Sequence, residues 1–287
     1  MALNGVILPV ITPFINGKFD AESYKQLLKH YSKKPFSAII PCATTGETSV
    51  LSDYESDEIV DITVSNTTIP VYVGLGGNNT GSVIEKLKSV EKYNVEGILS
   101  VCPYYNRPSQ IGMYEHFLKI SESTDLDIII YNIPYRTGVN MSNDTLLKLS
   151  ECANIKGVKD SSGSIAQSLE LIRNKPEGFS VLTGEDILFY TNITHGGDGG
   201  ILASSHLYAD ELLSIYNFVK DNDHMEALKI WNTIADILPM LFEEPNPAPL
   251  KYILNKLDLI KSNEVRLPLV QISSELKNKL KSTSKLK

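Results

Sequence analysis

The chain has 287 residues, 42% hydrophobic and 21% charged, a balance that fills one large core and does not read as disordered. Its formal net charge of -7 opposes a general grip on nucleic acid, because that affinity comes mainly from lysine and arginine neutralising phosphates. The first fourteen residues hold an apolar stretch without a basic n-region and with Pro9 and Pro13 beside it, so they read as a first strand rather than a signal peptide or a membrane span.

Along the chain, short apolar runs bounded by turn residues alternate with longer stretches of helical apolar spacing, the mark of repeated βα units. Eight strands are predicted, over 5–11, 37–41, 71–74, 97–101, 128–132, 155–159, 179–183 and 199–202. Helices are predicted between them, among others over 21–33, 53–65, 81–93, 109–122 and 142–152. Ser52 or Asp53 ahead of Glu55, and Ser142 ahead of the Leu146 to Leu149 run, supply helix start signals. Strands this short, apolar and lacking strict alternation suit a parallel sheet covered on both faces. Eight of them favour an α/β fold of the (β/α)₈ TIM-barrel type, formed by residues 1–222. The competing fold, an open Rossmann-like sheet, would call for a glycine fingerprint after the first strand, and Pro9 to Phe14 holds none. The Gly74, Gly76, Gly77 cluster reads as a loop needing close backbone approach rather than as a phosphate cradle. Residues 223–287 add helical patterns over 225–241, 250–257 and 269–280, read as an appended helical extension. The basic end, with Lys277, Lys279, Lys281, Lys285 and Lys287, reads as a solvated, fraying terminus. Cys42, Cys102 and Cys152, odd in number and widely spaced, suit reduced thiols in a cytoplasmic protein. The five histidines are scattered without paired spacing, which gives a metal centre little support.

In a barrel of this type the C-terminal ends of the strands converge on one face, and chemistry is done there. Topology alone would gather Thr44-Thr45-Gly46-Glu47, Tyr104-Tyr105-Asn106-Arg107, Tyr131 to Gly138, Lys159 and Thr183-Gly184-Glu185-Asp186 at that rim. Lys159 would point an amine into an interior otherwise filled by branched apolar groups. Burial lowers a lysine pKa and frees the amine to attack a carbonyl; the other reading is a structural ion pair with Asp160 or Glu185. Tyr131 and Tyr105 are proton-relay candidates or plain aromatics with a hydrogen-bonded tip. Thr44 and Thr45 offer hydroxyls and amides to a small carboxylate, or simply build a turn.

In these motifs the sequence resembles the dihydrodipicolinate synthase and N-acetylneuraminate lyase family of class I aldolases. Thr44 to Glu47, Tyr104 to Gln110, Tyr131 to Gly138, Gly157 to Asp160 and Glu244 to Pro247 appear in the family's order over nearly the whole chain. Arg136 and the Tyr104 to Gln110 run resemble the synthase branch more than the lyase branch. Cys42, Ala43 and Gly200 depart from the usual pattern in ways expected to adjust packing more than chemistry.

The resemblance implies a pyruvate imine on Lys159 and no other cofactor or metal. The derived enamine would attack the aldehyde of aspartate 4-semialdehyde, in lysine biosynthesis through diaminopimelate. Thr44, Tyr131 and Tyr105 would relay protons, Tyr105 reaching into a neighbouring subunit's site. Thr45 would hold the pyruvate carboxylate and Arg136 the carboxylate of the second substrate; Gly184 and the carbonyl of Ile201 would line the pocket. A homo-oligomer, a dimer of dimers, is implied as partner, with no nucleic acid and no membrane. Asn78 and Tyr104 match positions of the family's lysine-binding site, while Ser56 and Ser82 stand where histidine and glutamate are common, so lysine inhibition is expected to be weak or absent. The alternatives are a sialic-acid or keto-deoxy-sugar lyase on the same scaffold, and a catalytically silent barrel that binds or assembles.

Overall fold

The computed structural model describes residues 3–283. Lys285 and Lys287 of the predicted basic end lie outside them, whereas the whole of the predicted first strand lies within. Eight parallel strands form one sheet: β1 Gly5–Leu8, β2 Ala38–Ile39, β3 Tyr72–Gly74, β4 Gly97–Val101, β5 Asp127–Asn132, β6 Ile155–Asp160, β7 Ser180–Thr183 and β8 Gly199–Ile201. β1 pairs with both β2 and β8, and the ladder runs on in chain order from β8 back to β3. A parallel bridge between Ile39 and Val71 joins β2 to β3, so the sheet closes and leaves no open edge for another chain to pair with. Several strands are shorter than the apolar runs that forecast them, because Pro9 and Pro41 follow β1 and β2 closely and proline has no N–H to give a ladder.

Both faces of the sheet are apolar, which explains the missing alternation. Ile7, Tyr72, Leu99, Ile129, Tyr131, Leu182 and Ile201 pack inside the barrel. Val6, Leu8, Ile98, Ile128, Ile130, Val158 and Val181 pack outward in the core under the helices. Those helices include α1 Ala21–Tyr31, α2 Asp53–Asn66, α3 Thr80–Val90, α4 Gln110–Ser121, α5 Asn143–Leu149, α6 Ile165–Asn174, α7 Phe189–Thr194 and α8 Ala209–Lys220. Ser52 caps α2 in a full capping box with Glu55, and the Ser142 side chain accepts from the Thr145 N–H at the start of α5. Gly74 fits the close-approach reading: a Cβ there would lie 2.3 Å from the Cys42 carbonyl oxygen.

After residue 222 come α9 His224–Ile234, α10 Ala248–Lys256 and α11 Ser274–Ser282. The single helix expected over 225–241 is broken, since Pro239 sits inside a separate 3₁₀ turn over Leu238–Phe242. The last helix starts at Ser274, not 269, because the Ser273 side chain caps it by accepting from the Leu276 N–H. Its end does not fray as expected through Ser282: Leu276 and Leu280 are buried, and Lys279 pairs with Glu243. A hairpin not among the predicted elements, Phe14–Ile15 with Lys18–Phe19, follows β1. Its strands are too short to show a period, and its signal is the Asn16-Gly17 turn, with φ 51° and 74°. No helix among the described residues is long and apolar enough to cross a membrane.

Candidate active site

Lys159 stands one residue from the end of β6, and its direction depends on an irregularity. Ile155 and Val158 both belong to the outer core, yet residues three apart on a regular strand face opposite ways. The β5–β6 register resolves this, because Ile128 pairs with Ile155 and Ile129 with Gly157, leaving Lys156 as an extra residue. This bulge inverts the alternation. Val158 therefore faces out, and Lys159, paired in register with Tyr131 on β5 and Leu182 on β7, faces the interior. Its side chain is 5% exposed, with Nζ 4.2 Å from the centre of the Tyr131 ring.

Burial pulls the Lys159 amine down to about 8, while the negative charges of Asp186 and Glu185 oppose that fall. The structural-pair reading is not what the geometry gives: no ion pair within 4.0 Å among the described residues includes Lys159. Asp160 is turned away and accepts from the Ser162 N–H at 2.9 Å and from the Ser168 hydroxyl. Asp186, 3% exposed, accepts from the Ser204 N–H at 2.7 Å, and burial raises both its pKa and that of Glu185. The sequence places Asp186 at the rim but gives it no role, since an acid just past a strand looks like any turn residue. Gly184 is required here by space. A Cβ on it would meet the Ser161 hydroxyl at 2.2 Å and the Lys159 Cε at 2.6 Å.

A cavity of about 400 Å³ is lined by Thr44, Tyr104, Tyr131 and Arg136 among others. Lys159, Thr45, Gly184 and Ile201 are not in that lining, and Lys159 adjoins it through the Tyr131 ring. Burial raises the Tyr131 phenol well above its ordinary range, so it acts as a neutral O–H. Thr44 and Thr45 form the turn after β2, closed by the Glu47 N–H donating to the Thr44 carbonyl at 3.0 Å. Thr44 is half-buried and Thr45 buried. Arg136 sits on the helical turn Pro134–Thr137 after β5, its head exposed at the cavity wall. Ile201 ends β8, buried in the inner barrel with Tyr131 and Leu182.

One expected member is elsewhere. Tyr105 is 89% exposed and does not line the chain's own cavity; it projects from the loop after β4 with φ 71°. Asn246 is the further residue that the sequence reading left without a role: its Nδ2 donates to Thr45 Oγ1 at 3.0 Å. Only a contact across 201 positions reveals it.

The dihydrodipicolinate synthetase family model matches residues 2–287. This chain belongs to that family. A protein of Clostridium acetobutylicum named 4-hydroxy-tetrahydrodipicolinate synthase 2 is 55% identical over 282 residues, covering 98% of this chain and 99% of the relative. The structure of the 4-hydroxy-tetrahydrodipicolinate synthase from Methylacidiphilum fumariolicum SolV superposes with a TM-score of 0.95 at 35% identity, over 99% of this chain and 95% of that one. The chloride-inhibited dihydrodipicolinate synthase of Acinetobacter baumannii, solved in complex with pyruvate, gives 0.93 at 32% identity over 97% of each chain. Family membership and the barrel thus agree with the motifs read along the chain.

Proposed function

We propose that the chain is a 4-hydroxy-tetrahydrodipicolinate synthase, a lyase that condenses pyruvate with L-aspartate 4-semialdehyde through an imine on Lys159, in diaminopimelate and lysine biosynthesis. The observation that carries this reading is a buried lysine with a lowered pKa, set against a neutral phenol beneath a cavity with an arginine at its wall. The relatives' names bear on the substrates, and the free thiols of Cys42, Cys102 and Cys152 fit work in a reducing cytoplasm.

The neutral Lys159 amine adds to C2 of pyruvate, and loss of water gives the imine. Tyr131, with Thr44 beside it and a partner's copy of Tyr105, passes the protons that this dehydration needs. Loss of a proton from C3 then makes the enamine, whose electrons return to C3 and form a bond to the aldehyde carbon as its oxygen takes a proton. The semialdehyde's own amine next attacks the imine carbon, closes the ring and expels Lys159. The protonated imine nitrogen is the electron sink throughout, so the reaction needs no further cofactor. Thr45 holds the pyruvate carboxylate, Arg136 receives that of the semialdehyde through its planar fork, and Gly184 and the Ile201 carbonyl line the pocket between them.

The test is intact-mass analysis after incubation with pyruvate and borohydride. The native chain should gain one reduced pyruvyl group and Lys159→Ala none; a folded native chain without adduct removes the aldolase mechanism and leaves a binding protein. Arg136→Ala discriminates against a sugar-acid lyase on the same scaffold. Pyruvate imine formation should survive, while kcat/KM for the semialdehyde falls by about a hundredfold, as for a lost charge-assisted pair. An unchanged value would favour the lyase.

A further inference from the structure

The chain buries a second lysine whose purpose lies outside the chemistry above. Lys251 is at the middle of α10, of which every residue from Ala248 to Leu254 is buried. Its Nζ pairs with Glu47 Oε1, the two side chains being 0% and 1% exposed, and it donates to the Glu264 carbonyl at 2.9 Å. The other carboxylate oxygen of Glu47 accepts from the Arg266 N–H at 3.1 Å. Apolar residues of similar volume usually serve stability as well as a buried ion pair does, whereas a pair fixes which surfaces must meet. Here it fixes the appended segment onto the last residue of the Thr44 to Glu47 turn.

That turn is held from outside at three successive residues. Asn246 Nδ2 donates to Thr45 Oγ1 at 3.0 Å, the Thr12 hydroxyl donates to the Gly46 carbonyl at 2.7 Å, and Glu47 meets Lys251. Glu47 is held in the left-handed region, φ 55°, a conformation that a non-glycine residue keeps only when its surroundings impose it. The bond from Asn246 also sets a direction. A threonine hydroxyl has one hydrogen to give, and an oxygen already accepting from Asn246 is free to spend that hydrogen on a carboxylate.

We propose that Asn246, Lys251 and Glu47 are positioning residues for the pyruvate carboxylate, so that the segment after the barrel is a working part of the substrate site. The proposal rests on Thr45 holding that carboxylate. None of the three touches substrate; they act through the Thr44-Thr45 turn.

The test uses Asn246→Ala and the charge-free pair Glu47→Leu with Lys251→Met, in the full chain. Borohydride trapping against pyruvate concentration should show half-saturation raised about tenfold in each, the loss expected for one hydrogen bond or anchor. The KM for the semialdehyde at saturating pyruvate should stay within about twofold of the native value. Half-saturation within twofold of native in folded variants overturns the proposal, because a purely structural pair would lower the melting temperature and leave that ratio alone. If the charge-free pair does not fold, Asn246→Ala decides. Crystal structures of the same variants give a reading independent of the chemistry. A displaced Thr44 to Glu47 turn or a turned Thr45 hydroxyl supports positioning, and an unmoved one overturns it, even if the native chain traps no pyruvate and the aldolase reading itself fails.

Discussion

At the scale of the residue, the site depends on an amine held where it is least comfortable. Desolvation brings Lys159 to about 8, against an ordinary lysine near 10.4, so near neutral pH its free-amine fraction is a few hundred times larger than that of a solvated lysine. The rate of imine formation should therefore rise with pH and level off near pH 8; a rate still climbing tenfold per unit beyond pH 9.5 would mean that the amine is unperturbed. Linkage gives the sign for stability. The folded chain releases the Lys159 proton at lower pH than the unfolded chain, so below about pH 8 the full unfavourable effect of burying the charge is present, and stability gained from this group rises between about 8 and 10.4. Lys159→Met should accordingly stabilise the fold at pH 7 by about 1–3 kcal/mol, with the gap closing above pH 10.4. Urea denaturation at the two pH values measures it. A less stable variant at pH 7 would show that Asp186 and Glu185 supply more than desolvation takes away.

At the scale of the element, what was legible followed from apolar runs and turn residues, and what was not followed from contacts distant in sequence. The eight strands could be read because a strand covered on both faces, such as β5 with its Ile128 to Ile130 run, shows a continuous apolar block. That Lys159 points into the barrel could be read, but not the means, a bulge at Lys156 against Ile128 and Ile129 that sets the side chain inward; no local pattern marks such a bulge. Lys251 was hidden for the opposite reason. In the sequence it is one more charge on a helical pattern, and only its tertiary neighbours show that it is fully enclosed. The α11 helix is legible, but its end reads as fraying because lysines dominate the composition there, whereas Leu276 and Leu280, four apart, make one narrow buried seam. Leu276→Ala or Leu280→Ala should each destabilise the protein by about 2–4 kcal/mol, measured by urea denaturation, whereas a loss below about 0.5 kcal/mol is what a solvated terminus would give.

At the scale of the whole molecule, two expectations turn on a neighbouring subunit. Ser56 and Ser82 line a cavity of about 430 Å³ beside the candidate site together with Asp53, Asp57 and Glu85, of which Asp53 and Asp57 are already paired with Lys86 and Lys92. With serine at position 82 in place of a carboxylate, lysine inhibition should be weak or absent, and half-maximal inhibition at micromolar lysine would overturn this. Tyr105 carries the stronger argument. Its left-handed backbone, φ 71°, is a strain of about 1–2 kcal/mol for a residue with a Cβ. The loop around it is nonetheless firmly held: Asn106 Nδ2 donates to the Asn78 carbonyl at 3.0 Å and Arg107 Nε to the Gly138 carbonyl at 3.1 Å. A fixed loop that presents a large aromatic to solvent is suited to meet a second subunit, as the family resemblance implies. If that surface is the partner's catalytic cavity, Lys159→Ala and Tyr105→Ala chains, each nearly inactive alone, should complement one another when unfolded together and refolded. A mixed dimer holds one site with Lys159 from one chain and Tyr105 from the other, so random pairing of equal amounts should recover roughly a quarter of native activity through two-fold exchange of the same patch. Recovery no greater than the average of the two parents would place Tyr105 in its own subunit's chemistry or in none, and the relay would then have to be completed by Thr44 and Tyr131 alone.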